Sequence, residues 1–247
     1  MRVGVAGLPK PEILAPGRGA IMKRGESFGA VRTREVKIPS GDLLLEGELS
    51  VPEGARGIVL FAHGSGSSRF SPRNQFVARV LRERRIATLL FDLLTRDEEA
   101  FDLKTAALRF DTRLLAKRLV DATRWLDRLD EVRDLNVGYF GASTGGGAAL
   151  VAAAELGDEI SAVVSRGGRP DLAGEEALRR VISPTLLIVG ERDPVVLKLN
   201  EEAFALLGCE KELVVIPRAT HLFEEPGALE EVARLAADWF ERHMPDS

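Results

Sequence analysis

One cysteine, Cys209, stands among 247 residues. A single thiol closes no disulfide within the chain and builds no cysteine-based metal site. Histidine is nearly as scarce, with only His63, His221 and His243. No run of about 18 apolar residues occurs, so no membrane-spanning helix is expected. The first residues lack the compact apolar stretch of a secretory signal, because Pro9, Pro11, Pro16 and several glycines interrupt them. A cytoplasmic location without membrane contact is the expectation. Excess positive charge is missing too: 38 acidic residues outnumber 34 basic ones. Without a positive field to displace phosphate counterions, nucleic acid is not expected as a partner.

What is present describes a globular chain. Hydrophobic residues make up 45%, and the length suits one α/β domain. Residues 1–33 differ from the rest: Gly- and Pro-rich, without period, carrying six basic residues against two acidic ones. They read as an extended or disordered arm, leaving residues 34–247 as the domain. There, Arg34–Pro39 and Leu43–Val51 flank the turn Ser40-Gly41-Asp42 and should pair as a hairpin. Six short apolar runs follow, at Gly57–Ala62, Ile86–Phe91, Val137–Phe140, Ile160–Val164, Thr185–Val189 and Leu213–Ile216. Such runs suit the middle of a parallel sheet covered on both faces. Between them, Leu115, Leu119, Ala122, Leu126 and Leu129 recur at helical spacing, as do Leu229, Val232, Leu235, Ala236, Trp239 and Phe240. The expected fold is α/β, a doubly wound, mostly parallel sheet of about eight strands.

Chemistry concentrates at Gly141-Ala142-Ser143-Thr144-Gly145. A strand ends at Phe140 and a helix begins near Thr144, so Ser143 falls on the sharp turn between them. That turn strains the backbone and crowds positions two before and two after the serine; both are glycine. The hydroxyl then stands exposed at a helix N-terminus, whose amides favour negative charge. A bare glycine-flanked serine is a weak signal; its place between strand and helix strengthens it.

A serine hydroxyl needs a base to take its proton. His63 ends the third strand and His243 lies five residues from the C-terminus, which leaves His221, in the loop just past the last strand. That sheet edge is where α/β folds collect catalytic groups. The base in turn needs an orienting carboxylate. Asp193, directly after the seventh strand, is favoured, with Glu191, Glu224 and Glu225 as competitors. The order Ser143, Asp193, His221 matches that expected of a nucleophile-elbow fold. Donors for a developing oxyanion are the Thr144 N–H and, from the loop His63-Gly64-Ser65-Gly66-Ser67-Ser68, the Ser65 N–H. A phosphate-binding role for that loop is the alternative, although it lacks the Gly-Lys-Ser/Thr ending of a P-loop.

Together, His63–Gly66, Gly141–Gly145, Gly190–Asp193 and Ala219–His221 resemble the α/β-hydrolase superfamily, in particular its dienelactone-hydrolase-like members, over residues 34–243. The resemblance implies that Ser143, Asp193 and His221 take the triad roles by position. Dienelactone hydrolases carry a cysteine at the elbow where this chain has Ser143, which points toward general ester hydrolysis. Similar domains also occur fused behind phosphoribosyltransferase-like domains, a context that would account for the unlike first 33 residues. Members of the superfamily often insert a helical lid between strands six and seven. Only about 19 residues, Ser165 to Ser183, are available here, so an open site for small, accessible substrates is expected. Arginines on the same edge, Arg69, Arg166 and Arg169 among them, offer bidentate contacts to an anionic substrate.

These expectations add up to a cofactor-independent, metal-free serine hydrolase of small carboxylic esters, thioesters or lactones, acting as a monomer or homodimer. Amide or peptide hydrolysis, perhydrolysis on the same triad, and a non-catalytic binding protein are the rivals.

Overall fold

Short apolar runs become strands wherever both faces can be covered, and the computed structural model, which describes residues 30–245, contains eight of them. They are β1 (Val31–Ser40), β2 (Leu43–Pro52), β3 (Gly57–Ala62), β4 (Ile86–Phe91), β5 (Asn136–Ala142), β6 (Ile160–Arg166), β7 (Thr185–Gly190) and β8 (Lys211–Ile216). One sheet holds all eight in the order β1-β2-β4-β3-β5-β6-β7-β8. The β1–β2 and β2–β4 pairs are antiparallel and the others parallel. All six residues of β3, β4 and β7 are buried, as expected of parallel strands covered on both sides.

The hairpin begins three residues before the expected Arg34. The ladder runs on to Val31 opposite Pro52, and the Thr33 and Ser50 hydroxyls meet at 2.9 Å across it. Residues 1–29 of the arm expected over residues 1–33 lie outside the described residues.

Among the described residues six α-helices lie between strands, α1 (Pro72–Glu83), α2 (Arg96–Thr105), α3 (Thr112–Leu126), α4 (Thr144–Leu156), α5 (Gly174–Arg180) and α6 (Pro194–Leu206), and α7 (Ala228–His243) follows the last. Leu115, Leu119, Ala122 and Leu126 of α3 pack with α4 on one face of the sheet. On the other face, Val77, Ala78 and Leu81 of α1 meet Val232, Ala236 and Phe240 of α7. Each fully buried Leu, Val or Phe contributes about 1.5–3 kcal/mol relative to exposure, so the two layers hold the sheet edge rigid. The β6–β7 connection holds only a short 3-10 turn and α5. Among the described residues, no helix is long and apolar enough to cross a membrane.

The sheet order also locates a crevice. From β3 the chain leaves through α1 on one face to reach β4, and it returns to β5 through α3 on the other. The neighbours β3 and β5 therefore part at their C-terminal ends, the place where doubly wound sheets bind ligands. Ser143 follows β5 and the Gly64–Ser68 loop follows β3.

Candidate active site

Ser143 sits between β5 and α4 at φ 52° and ψ −122°, a conformation that costs a non-glycine residue of order 1–3 kcal/mol. Surrounding bonds impose it. The Ser143 N–H donates to the Arg166 carbonyl at 3.2 Å, and the Ser143 carbonyl accepts from the Gly146 and Arg169 amides, each at 2.9 Å. Close packing explains the flanking glycines. A Cβ on Gly141 would stand 2.5 Å from the Gly146 Cα, and one on Gly145 would stand 2.1 Å from the Ala62 carbonyl oxygen. The helix that follows is correspondingly small and buried, from Thr144 through Gly147 and Ala148.

Across the crevice, His221 Nδ1 donates to the Asp193 carboxylate at 2.6 Å, and His221 Nε2 lies 3.3 Å from Ser143 Oγ. With Nδ1 donating, Nε2 presents its lone pair to the serine hydroxyl. Asp193 is the residue just before α6. Two of its competitors hold the histidine loop instead: Glu191 accepts from the Arg218 N–H at 2.6 Å and Glu225 from the Thr220 N–H at 3.0 Å. Glu224 pairs with Arg73 at 3.0 Å. Beneath the loop, buried Ala219 and Phe223 anchor it in the core.

Thr144 is buried as the first residue of α4, and Ser65 is exposed on the β3 loop. That loop approaches the serine closely, since a Cβ on Gly64 would stand 3.1 Å from the Ser143 Cβ. His63 fixes it in place. Its Nδ1–H donates to the Gly64 carbonyl at 3.0 Å, and its Nε2 accepts from the Leu93 N–H at 3.0 Å. Burial pushes the His63 pKa below its ordinary value near 6.5, so the ring stays neutral and both bonds persist. In the sequence His63 stands out only within the His63–Gly66 motif and carries no role of its own; its position at a strand end, before a glycine loop, is the signal for this one.

The arginines are arranged differently from a row of free charges. Arg69 is largely buried and pairs with Asp92, and with Glu46 at 3.0 Å. Arg169 forms two bonds to Asp171, at 2.8 and 2.6 Å. Arg166 points into the protein below the histidine loop, against Asn74 and the Phe223 ring. Burial pulls its pKa down to about 10. What Arg166 and Arg169 give the site directly is backbone: their carbonyl and amide hold the strained serine.

A feature the hydrophobic pattern does not disclose is α2. Its ten residues have no apolar period, and only Asp102 among them is buried. Polar bonds hold it. Thr95 and Glu98 form a reciprocal capping box, and Glu98 also accepts from Arg118 at 2.7 Å. Asp102 accepts from the Leu108 and Arg109 amides and from the Arg109 guanidinium at 2.6 Å. Desolvation pushes the Asp102 pKa up, but these donors outweigh it and the net shift is downward. The Thr-x-x-Glu spacing at Thr95–Glu98 was the sequence signal.

An eight-stranded, mostly parallel sheet with Ser143, Asp193 and His221 gathered at its C-terminal edge is an α/β-hydrolase fold. The family model described as the dienelactone hydrolase family matches residues 46–244, and the chain belongs to that family of hydrolases. It is 59% identical to a dienelactone hydrolase from Anabaena variabilis of solved structure, at a TM-score of 0.85, over 87% of this chain and 99% of that one. Est1E from Butyrivibrio proteoclasticus shares the fold at a TM-score of 0.71 with 17% identity, over 85% of this chain and 98% of its own. A Mycobacterium tuberculosis protein, provisionally named a phosphoribosyl transferase, is 58% identical over 214 residues, 87% of this chain and 47% of its own length. The chain thus spans about half the length of the curated relatives it matches.

Proposed function

We propose that the protein is a serine hydrolase that cleaves carboxylic esters, thioesters or lactones through an acyl-enzyme. Ser143 Oγ attacks the carbonyl carbon while its proton passes to His221 Nε2. Asp193 orients the imidazole and stabilises the imidazolium that forms. The Ser65 and Thr144 amides hold the carbonyl oxygen as it becomes an oxyanion. Collapse breaks the ester C–O bond, and the leaving alcohol departs with the proton from His221. A water molecule, deprotonated by the same nitrogen, then attacks the acyl-enzyme, releasing the acid and restoring Ser143.

The observation that carries this reading is the unbroken contact from Asp193 through His221 to a strained serine. The β3 loop, aligned beside that serine, supports the oxyanion assignment. The test is turnover of short p-nitrophenyl esters together with fluorophosphonate labelling read by intact mass. Hydrolysis and a single adduct in the wild type, both lost in Ser143→Ala, are expected. An unlabelled and inactive wild type would refute the proposal.

A further inference from the structure

A cleft opens beside the β3 loop on the side away from His221. Its walls include the Gly64–Ser68 loop, Leu93 and Leu94 after β4, Leu115 of α3, and Glu99 and Leu103 on α2. No residue of the 191–225 segment lines it. We propose that this cleft is the acyl subsite, that it takes a neutral apolar acyl group, and that Leu103 is its specificity-determining residue; this rests on the ester-hydrolase reading above.

The assignment follows from the direction of proton transfer. His221 Nε2 must deliver its proton to the leaving oxygen, so the alcohol portion lies toward the histidine loop. With the carbonyl oxygen against the Ser65 and Thr144 amides, the third substituent, the acyl chain, is left to point away from His221. The cleft occupies that side and begins at Gly64, where a Cβ would stand 3.1 Å from the Ser143 Cβ.

Its chemistry selects among acyl groups. Leu93 and Leu115 are buried and form an apolar floor. Leu103 is 71% exposed. An apolar chain laid against Leu103 removes that surface from water. The carboxylates at the cleft differ. Asp92 is paired with Arg69 and Asp102 with Arg109, whereas Glu99 forms no ion pair among the described residues. Its charge disfavours an acyl group that itself ends in a carboxylate. Two arginines nearby, Arg69 and Arg96, face Glu46 instead of Glu99.

The experiment measures kcat/KM for p-nitrophenyl acetate, butyrate and hexanoate, and for the mono-p-nitrophenyl ester of succinate. Leu103 is exposed, so its replacement does not threaten the core. Leu103→Ala should lower the hexanoate-to-acetate ratio about threefold, and Leu103→Trp, which fills the cleft, about tenfold, in keeping with what a few methylenes contribute in a pocket. Glu99→Gln should raise the succinate-to-butyrate ratio about threefold at low ionic strength. Ester turnover with all ratios as in the wild type overturns the subsite alone. No turnover of any ester by the wild type overturns the hydrolase reading and the subsite with it.

Discussion

Two segments on the same edge of the sheet are built by opposite means. The turn at Ser143 is locked by contact: glycines with no room for a Cβ, a buried alanine-rich helix, and backbone bonds from β6 and the segment after it. The α2 segment, a few strands away, is almost wholly exposed and is held by a capping box and the Asp102 clamp. Tight packing tolerates strain because nothing nearby can relax. Polar clamps on an exposed helix hold its position with little core behind them, so such a segment opens locally at low cost. The proposed nucleophile sits on the first kind of segment, and the proposed selector of substrate on the second.

The largest effect should come from the chemistry that the rigid segment supports. Ser143→Ala should reduce kcat/KM by roughly 10⁶-fold and Asp193→Asn by roughly 10⁴-fold, measured on p-nitrophenyl acetate, with thermal melting within a degree or two of the wild type. A melting point that falls along with activity would mean that these residues serve the fold instead. Next, Gly145→Ala should cost about 3 kcal/mol or more by urea unfolding, because its Cβ would meet the Ala62 carbonyl at 2.1 Å. A loss under about 1 kcal/mol would show that the turn is looser than its packing implies.

The softer segment should respond locally. Asp102→Ala should speed amide exchange across residues 96–110 at least about tenfold and leave β5 and α4 unchanged. The same segment should loosen in acid. Its carboxyl has a lowered folded-state pKa, so the stabilisation present above the unfolded value near 3.8 disappears as pH falls through the folded value. Equal acceleration in both segments would erase the contrast between them.

The smallest effect concerns the loop that joins them. Because the folded-state pKa of His63 is lowered, the unfolded chain binds its proton first. Stability should therefore decline as pH drops below about 6.5, with a slope no steeper than about 1.4 kcal/mol per pH unit from this residue. His243 is shifted in the same direction, so His63→Asn should shallow the slope without abolishing it. Urea midpoints between pH 7.5 and 5.5 would reveal an unchanged slope, which would remove His63 from the account.

Much of this molecule was legible in the chain. The runs at Gly57–Ala62 and Ile86–Phe91 become β3 and β4 with those bounds, because residues apolar on both sides have no other place to go. The two glycines around Ser143, and the order of serine, aspartate and histidine, were also readable, since the elbow is a local backbone problem with a local solution. The α2 helix escaped that reading: hydrophobic period reports only helices that bury a face, and this one buries a single aspartate.

Tertiary structure alone decided the pairings. Sequence offered four carboxylates to His221; only folding could bring the Asp193 carboxylate to 2.6 Å and turn Glu191 and Glu225 to loop amides. Sequence likewise offered a set of charged arginines, and folding engaged Arg69 and Arg169 with carboxylates while burying Arg166. The physical reason is range. Strand, turn and elbow are set by neighbours along the chain, whereas the partner of a charge is set by whatever the fold brings within a few ångströms of it.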